Sequence, residues 1–372
     1  MILLTILVFI IILGLLVFVH ELGHFIMAKR AGMRVEEFGF GFPPRLFGIK
    51  RGETIYSINL IPLGGFVKIL GEDGSDNSDP ESFGHKSAWR RFSVLIAGVT
   101  MNVILAWVLL SIGMGLGLPT VISEGDQIPN HAHVSTASVG IIDVADQSPA
   151  AAAGLKPGDT ILKIGDQTVN SIDDAQKDTN QQAGKQVTYT IKRGSEIFEK
   201  QITPRTNPPE GQGPIGIELG SIAYICYPWY LAPIKGAVAV VNLITITLTA
   251  FGSIIGQLVQ GRHVAQALSG PVGIAVLTND VTQLGFIYIL QFTAILSVNL
   301  AIINAVPFPA LDGGRVLFLI IEKIRGRKLD IRTEQWANTA GFMLLLLLMV
   351  LVTVKDISHY SQGFKNLFSK IF

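Results

Sequence analysis

MILLTILVFIIILGLLVFVHELGHFIMAKR, residues 1–30, carries an apolar run and a chemical motif in one stretch. No charged residue occurs between positions 1 and 19, and then His20, Glu21 and His24 arrive together. Such a run approaches the roughly 20 residues that cross about 30 Å of hydrocarbon as a helix. Ionisable groups at the end of a membrane helix are costly and usually carry function. A cleaved signal peptide is the rival reading, but the run lacks a basic start and an Ala-x-Ala-like end and continues through Ala28.

Working outward, residues 93–118 and 284–303 lie in comparable apolar runs, and 339–353 sits in another. The mean hydropathy is +0.47 and only 15% of the 372 residues are charged. Both values predict a chain that lies largely in lipid, with four spans. A net charge of +1 gives no nucleic-acid footprint. Cys226 is the only cysteine, which excludes an intrachain disulfide and a cysteine-based metal site.

Orientation follows from the basic residues beside the spans. Lys29, Arg30, Arg34, Arg45, Lys86, Arg90 and Arg91 place the first loop in the cytoplasm. Residues 119–155 hold no Lys or Arg and suit the opposite side, whereas Arg315, Lys323, Arg325, Arg327, Lys328 and Arg332 return the last link to the cytoplasm. Both termini are therefore expected outside. Residues 235–260 are also apolar, but Asn242, Thr245, Thr249, Ser253, Gln257 and Gln260 recur at helical steps on one face. That pattern predicts an amphipathic helix lying on the membrane rather than a fifth span.

The outward segment, about 118–233, reads as a small soluble domain: strand 138–144, capped helix 148–155, strand 160–164, polar helix 171–183 and strand 186–193. Its wording SPAAAAGLKPGDTILKIGDQTV, residues 148–169, resembles a PDZ domain. The expected fold class is membrane α-helical: four transmembrane helices, a membrane-associated β-hairpin and an inserted extracytoplasmic PDZ-like α+β domain. The expected division is 1–118 for the first two spans with the motif and hairpin, and 119–216 for the PDZ-like domain and its linker. Residues 217–282 form the surface-helix region and 283–372 the last two spans.

His20-Glu21-Leu22-Gly23-His24 is an HExxH motif. Residues four apart share a helix face, so both imidazoles can reach one zinc ion while Glu21 meets the attacking water. The bland alternative is that these groups only mark the helix end at the interface. A catalytic zinc needs a third protein ligand. The candidate is Asp312, in Asn304-Ala305-Val306-Pro307-Phe308-Pro309-Ala310-Leu311-Asp312-Gly313-Gly314. The prolines break the helix there, the glycines admit close backbone approach, and irregular backbone at membrane depth needs a shielded or wet cavity. Its alternative role is to cap the helix that follows. Topology places the end of the first span and the end of the third on the same side, so the three ligands can meet.

HELGH on the first span, NAVPFPALDGG after the third and the PDZ-like insert together resemble the site-2 protease family, most closely its bacterial regulator-of-sigma-E branch. YSINLIPLGGFVKILGED, residues 56–73, and SGPVGIA, residues 269–275, are similar to that branch as well. The resemblance implies one catalytic Zn2+ on His20, His24 and Asp312, Glu21 as general base, and Asn304, Pro307 and Pro309 positioning the scissile backbone. It implies a multi-pass protein of the bacterial inner membrane with its active site toward the cytoplasm. The implied substrates are single-span membrane proteins already trimmed by another protease, such as anti-sigma factors, with the PDZ-like domain acting as a size filter.

Two departures stand out. The family's Gly-x-Gly-Pro stretch appears as Gly39-Phe40-Gly41-Phe42-Pro43-Pro44, with one extra residue before the proline, and the chain has room for one PDZ domain where members of the branch often carry two. A CAAX-type membrane protease is the rival enzyme, but it would bring a Glu from a later helix. A PDZ adaptor with an accidental motif is the rival from another class. Residues 45–49 and 54–60 read as a hairpin that could supply an edge strand for a substrate, or that only packs on the cytoplasmic face. His131 and His133 read as solvated, His85, His263 and His359 as isolated, and Glu72, Asp73, Asp76, Asp79 and Glu81 as a solvated acidic loop.

Overall fold

The computed structural model describes residues 2–72, 79–122, 131–261, 270–327 and 329–359. His263 and Ser269 from the motifs above, and Asp73 and Asp76 of the acidic cluster, fall outside them. The chain divides into two compact units: Met1–Leu109 with Ala237–Thr278 and Thr293–Phe372, and Leu110–Gly236 with Asn279–Phe292.

The first apolar run is α1, Ile2–Arg30, ending on Lys29 and Arg30, whose charges suit the carbonyl end of a helix. It leads into β1, Val35–Arg51, and β2, Thr54–Ile69, an antiparallel pair. These two long strands fold on themselves. Residues 37–40 pair with 65–68 on one side and with 55–58 on the other, while 45–51 pair with 54–59. The hairpin is therefore four strand segments wide, and 55–58 is held on both flanks. Of the expected hairpin, 45–51 is thus at one margin and 54–60 is not: the bends opened by Gly41 and Gly64, both at positive φ, fold each strand back and bring 65–69 to the other margin. Phe42, Leu46, Phe47, Ile49, Ile58 and Leu60 of this sheet are exposed.

The second apolar run is two helices, α2 (Ala88–Leu95) and α3 (Ala97–Leu116), broken by a turn at Ile96. Next come β3 (Leu118–Ile122), β4 (His133–Val134), β5 (Ser138–Val144), α4 (Pro149–Ala153), β6 (Thr160–Ile164), β7 (Gln167–Thr168), α5 (Ile172–Gln181), β8 (Val187–Arg193), β9 (Glu196–Ile202) and β10 (Ile217–Cys226). The strands form one antiparallel sheet in the order β3-β10-β5-β6-β8-β9. Its core is Ile141, Leu155, Ile161, Tyr189 and Ile191. The Ser148 hydroxyl accepts from Ala151 N to start α4, Gly154 at φ 77° ends it, and Ser171 with Asp174 closes a capping box on α5. Strand and helix order thus match the expected PDZ-like segment, and the sheet runs past Gly216 because β10 lies between β3 and β5.

The remaining helices are α6 (Ala232–Val259), α7 (Pro271–Leu284), α8 (Phe286–Ala305), α9 (Asp312–Arg325) and α10 (Ile331–His359). Five helical segments among the described residues are long and apolar enough to cross a bilayer: Leu3–Arg30, Ala88–Leu116, Ala232–Val259, Phe286–Ala305 and Ile331–Ser358. Length and composition alone therefore admit α6 to the set, one more than the four expected. Asp356 of α10 accepts from the backbone N–H groups of Gly270 and Gly273, at 2.9 and 2.8 Å, and so caps α7 from another element.

Candidate functional site

His20 and His24 lie one turn apart on α1 and are both 7% exposed. Their rings are oriented by the helix pair that follows. His24 Nδ1 is 2.8 Å from the Val94 carbonyl, which accepts its proton and leaves Nε2 free. His20 Nδ1 lies 3.2 Å from the carboxamide of Asn102. Between these two anchors Gly98 presents only hydrogen to the rings, since a Cβ there would stand 2.4 Å from His24 Nε2 and 2.8 Å from His20 Nε2.

Asp312 reaches the same point from α9. Its Oδ2 lies 3.1 Å from His20 Nε2 and 3.4 Å from His24 Nε2, and the two Nε2 atoms are 3.2 Å apart. Asp312 is the first residue of α9, and no side chain caps that helix. The alternative role of Asp312 as a helix cap therefore fails. Its approach depends on the bend before it. Ala310 adopts φ 75°, a left-handed conformation costly for a residue with a Cβ, and the Asn338 side chain accepts from its N–H at 3.0 Å. Gly313 and Gly314 let the carbonyls of Val306 and Phe308 come closer than any Cβ would allow.

These three donors fit a zinc ion. A tetrahedral ion with bonds of about 2.0–2.1 Å holds its donors roughly 3.3–3.4 Å apart, close to the three separations here. Asp312 Oδ2 is buried without a hydrogen-bond donor, as a carboxylate reserved for a cation would be. Gly98 leaves open the space that a side chain would fill.

Glu21 borders the same cavity, of about 450 Å³, with Phe66, Val67, Glu72 and Arg315. The Val67 N–H donates to Glu21 Oε2 at 3.1 Å, which ties the carboxylate to the open margin of the hairpin. Arg315 pairs with Glu72, so that acidic residue is an ion-pair partner and not part of a solvated loop. Asp79 and Glu81 are likewise held by Arg34. Asn304, Pro307 and Pro309 lie in the bend and its approach but do not line the cavity, whereas Ala310 and Leu311 do. His131 and His133 are exposed.

Sequence reasoning passed over Val94, Gly98, Asn102 and Arg315. A signal existed for Asn102, a carboxamide inside an otherwise apolar run. No signal existed for Val94, which contributes only its backbone.

The profile of Peptidase family M50 matches residues 8–348. A Clostridium acetobutylicum protein is 37% identical over 93% of this chain and 95% of its own length. The regulator of sigma-W protease RasP of Bacillus subtilis is 31% identical over 95% of this chain and 98% of its own. The zinc metalloprotease RasP of Geobacillus kaustophilus is 30% identical over 96% and 98%.

Proposed function

The chain belongs to peptidase family M50 as a multi-pass membrane zinc metalloprotease of the site-2 type, and from that premise we propose that it cleaves single-span membrane proteins within the bilayer. In this reading His20, His24 and Asp312 hold one zinc ion and Glu21 is the general base. The observation that carries it is the convergence of three buried donors, 3.1–3.4 Å apart, beside a glutamate anchored on a sheet margin.

Bound zinc supplies a Lewis acid that polarises the scissile carbonyl and acidifies the attacking water. Glu21 takes the proton from that water and returns it to the departing amide nitrogen. The Val67 N–H keeps the Glu21 carboxylate in place through both transfers. A substrate helix hides its carbonyls in its own hydrogen bonds, so it must enter extended. The margin that carries Val67 adjoins Glu21, and a strand added along it brings a peptide bond to the three donors. In this reading Asn304, Pro307 and Pro309 act on the scissile backbone by holding the bend that carries Asp312.

The wider proposal keeps four spans with α6 lying on the membrane, the hairpin associated with the bilayer, and the site toward the cytoplasm of a bacterial inner membrane. The division near 118 and 282 goes with it, while the boundary expected at 216 moves beyond β10, which pairs with β3 and β5 in the inserted sheet. One relative is named a regulator of sigma-W protease. We take anti-sigma-type proteins, pre-trimmed outside the membrane, as the substrate class, and the PDZ-like domain as the filter that excludes untrimmed ones.

The test is Glu21→Gln in the full chain. Loss of cleavage by about 10²–10⁴-fold with zinc retained is expected, and trimmed membrane fragments should accumulate in cells. Unchanged processing would refute the assignment and favour a non-catalytic adaptor.

A further inference from the structure

Asn102 lies on α3 four residues after Gly98, so the two share a helix face. It is fully buried, in a segment where a polar side chain is expensive unless satisfied. Its amide contacts His20 Nδ1 at 3.2 Å. Its backbone carbonyl accepts the Ser297 hydroxyl of α8 at 2.7 Å, which fixes the point from which the side chain projects. The carboxamide oxygen is buried with no partner.

A ring nitrogen that binds a cation must carry a lone pair, so the proton of a neutral imidazole sits on the other nitrogen and needs an acceptor there. Val94 provides that acceptor for His24. The amide of Asn102 has nearly the same shape at both ends, and a half-turn about its last bond exchanges them. That half-turn gives the orphaned oxygen a donor and gives the His20 Nδ1–H an acceptor. We propose that Asn102 is a positioning residue for His20: its carboxamide oxygen accepts the Nδ1–H and keeps the Nε2 lone pair directed toward Asp312 and His24. This rests on His20 being a zinc ligand, the reading given above.

The experiment measures zinc affinity by chelator competition on the full chain in detergent, together with the visible spectrum of the cobalt-substituted protein. Asn102→Leu keeps the volume and removes the acceptor, so zinc affinity should fall about 10–100-fold and the cobalt bands should shift. Asn102→Asp keeps an acceptor and should retain both near the parent values. Leucine variant and parent matching in affinity and spectrum would overturn the proposal, as would an aspartate variant as weak as the leucine one. Should the leucine variant not fold, Asn102→Ala takes its place in both comparisons. Failure of the ligand reading itself looks different: His20→Ala would then leave zinc affinity unchanged in an otherwise parental protein.

Discussion

Gly98 faces His24 so closely that a methyl group added to it would stand 2.4 Å from the ring Nε2. The absent side chain is what leaves room at the meeting point of the three donors. Gly98→Ala should therefore abolish zinc binding and cleavage while the protein still inserts and folds. Zinc stoichiometry by mass spectrometry checks this; a folded variant with a full complement of zinc would rule out the assigned position of the ion.

Metal removal should act on stability as well as on activity. A ligand that binds only the folded state stabilises it by about 2.7 kcal/mol at 100 times its dissociation constant. Chelation should lower the unfolding temperature in detergent, and added zinc should restore both temperature and cleavage. In Asp312→Ala the zinc-dependent rise should disappear, because the third donor is gone.

The two margins of the hairpin differ in what they face. Lys68 lies on the side that carries Val67 and borders the cavity, while Phe47 belongs to the opposite margin. In a Cys226→Ser background, Lys68→Cys should form a disulfide with a substrate cysteine near the cleavage site, and Phe47→Cys should not. Equal cross-linking at both positions would remove the strand-addition mechanism.

In the inserted domain Arg193 grips Asp159 with two nitrogens, at 2.6 and 2.7 Å, and also donates to the Gly154 carbonyl. Asp159 is 0% exposed, so removing its partner strands a buried carboxylate. Arg193→Met should cost about 3–5 kcal/mol. A lower temperature for proteolytic cleavage within 138–202 reads this out, and an unchanged profile would show that the pair contributes nothing.

Much of the site was legible because its signals were local. His20, Glu21 and His24 fall within five residues of one helix, and Asp312 is a carboxylate in a Pro/Gly break after an apolar run. The hairpin was legible in existence but not in pairing. Only the bends at Gly41 and Gly64 reveal that each strand is used twice, so that 55–58 becomes interior and 65–69 becomes the margin. Val94 acts through a carbonyl, which every residue has, and nothing in its side chain announces it.

By itself the order of residues determined the long apolar helices, though not how many cross the membrane, together with the HExxH face, the bend before Asp312 and the capped helices of the inserted domain, since each depends on hydropathy or spacing within one segment. Which groups meet was decided only in three dimensions. Contacts such as Asp312 with His20, Asn102 with His20 and Val67 with Glu21 join positions 46 to 292 residues apart. Backbone bends and glycine-permitted close approach set those distances, and neither leaves a periodic trace in the chain.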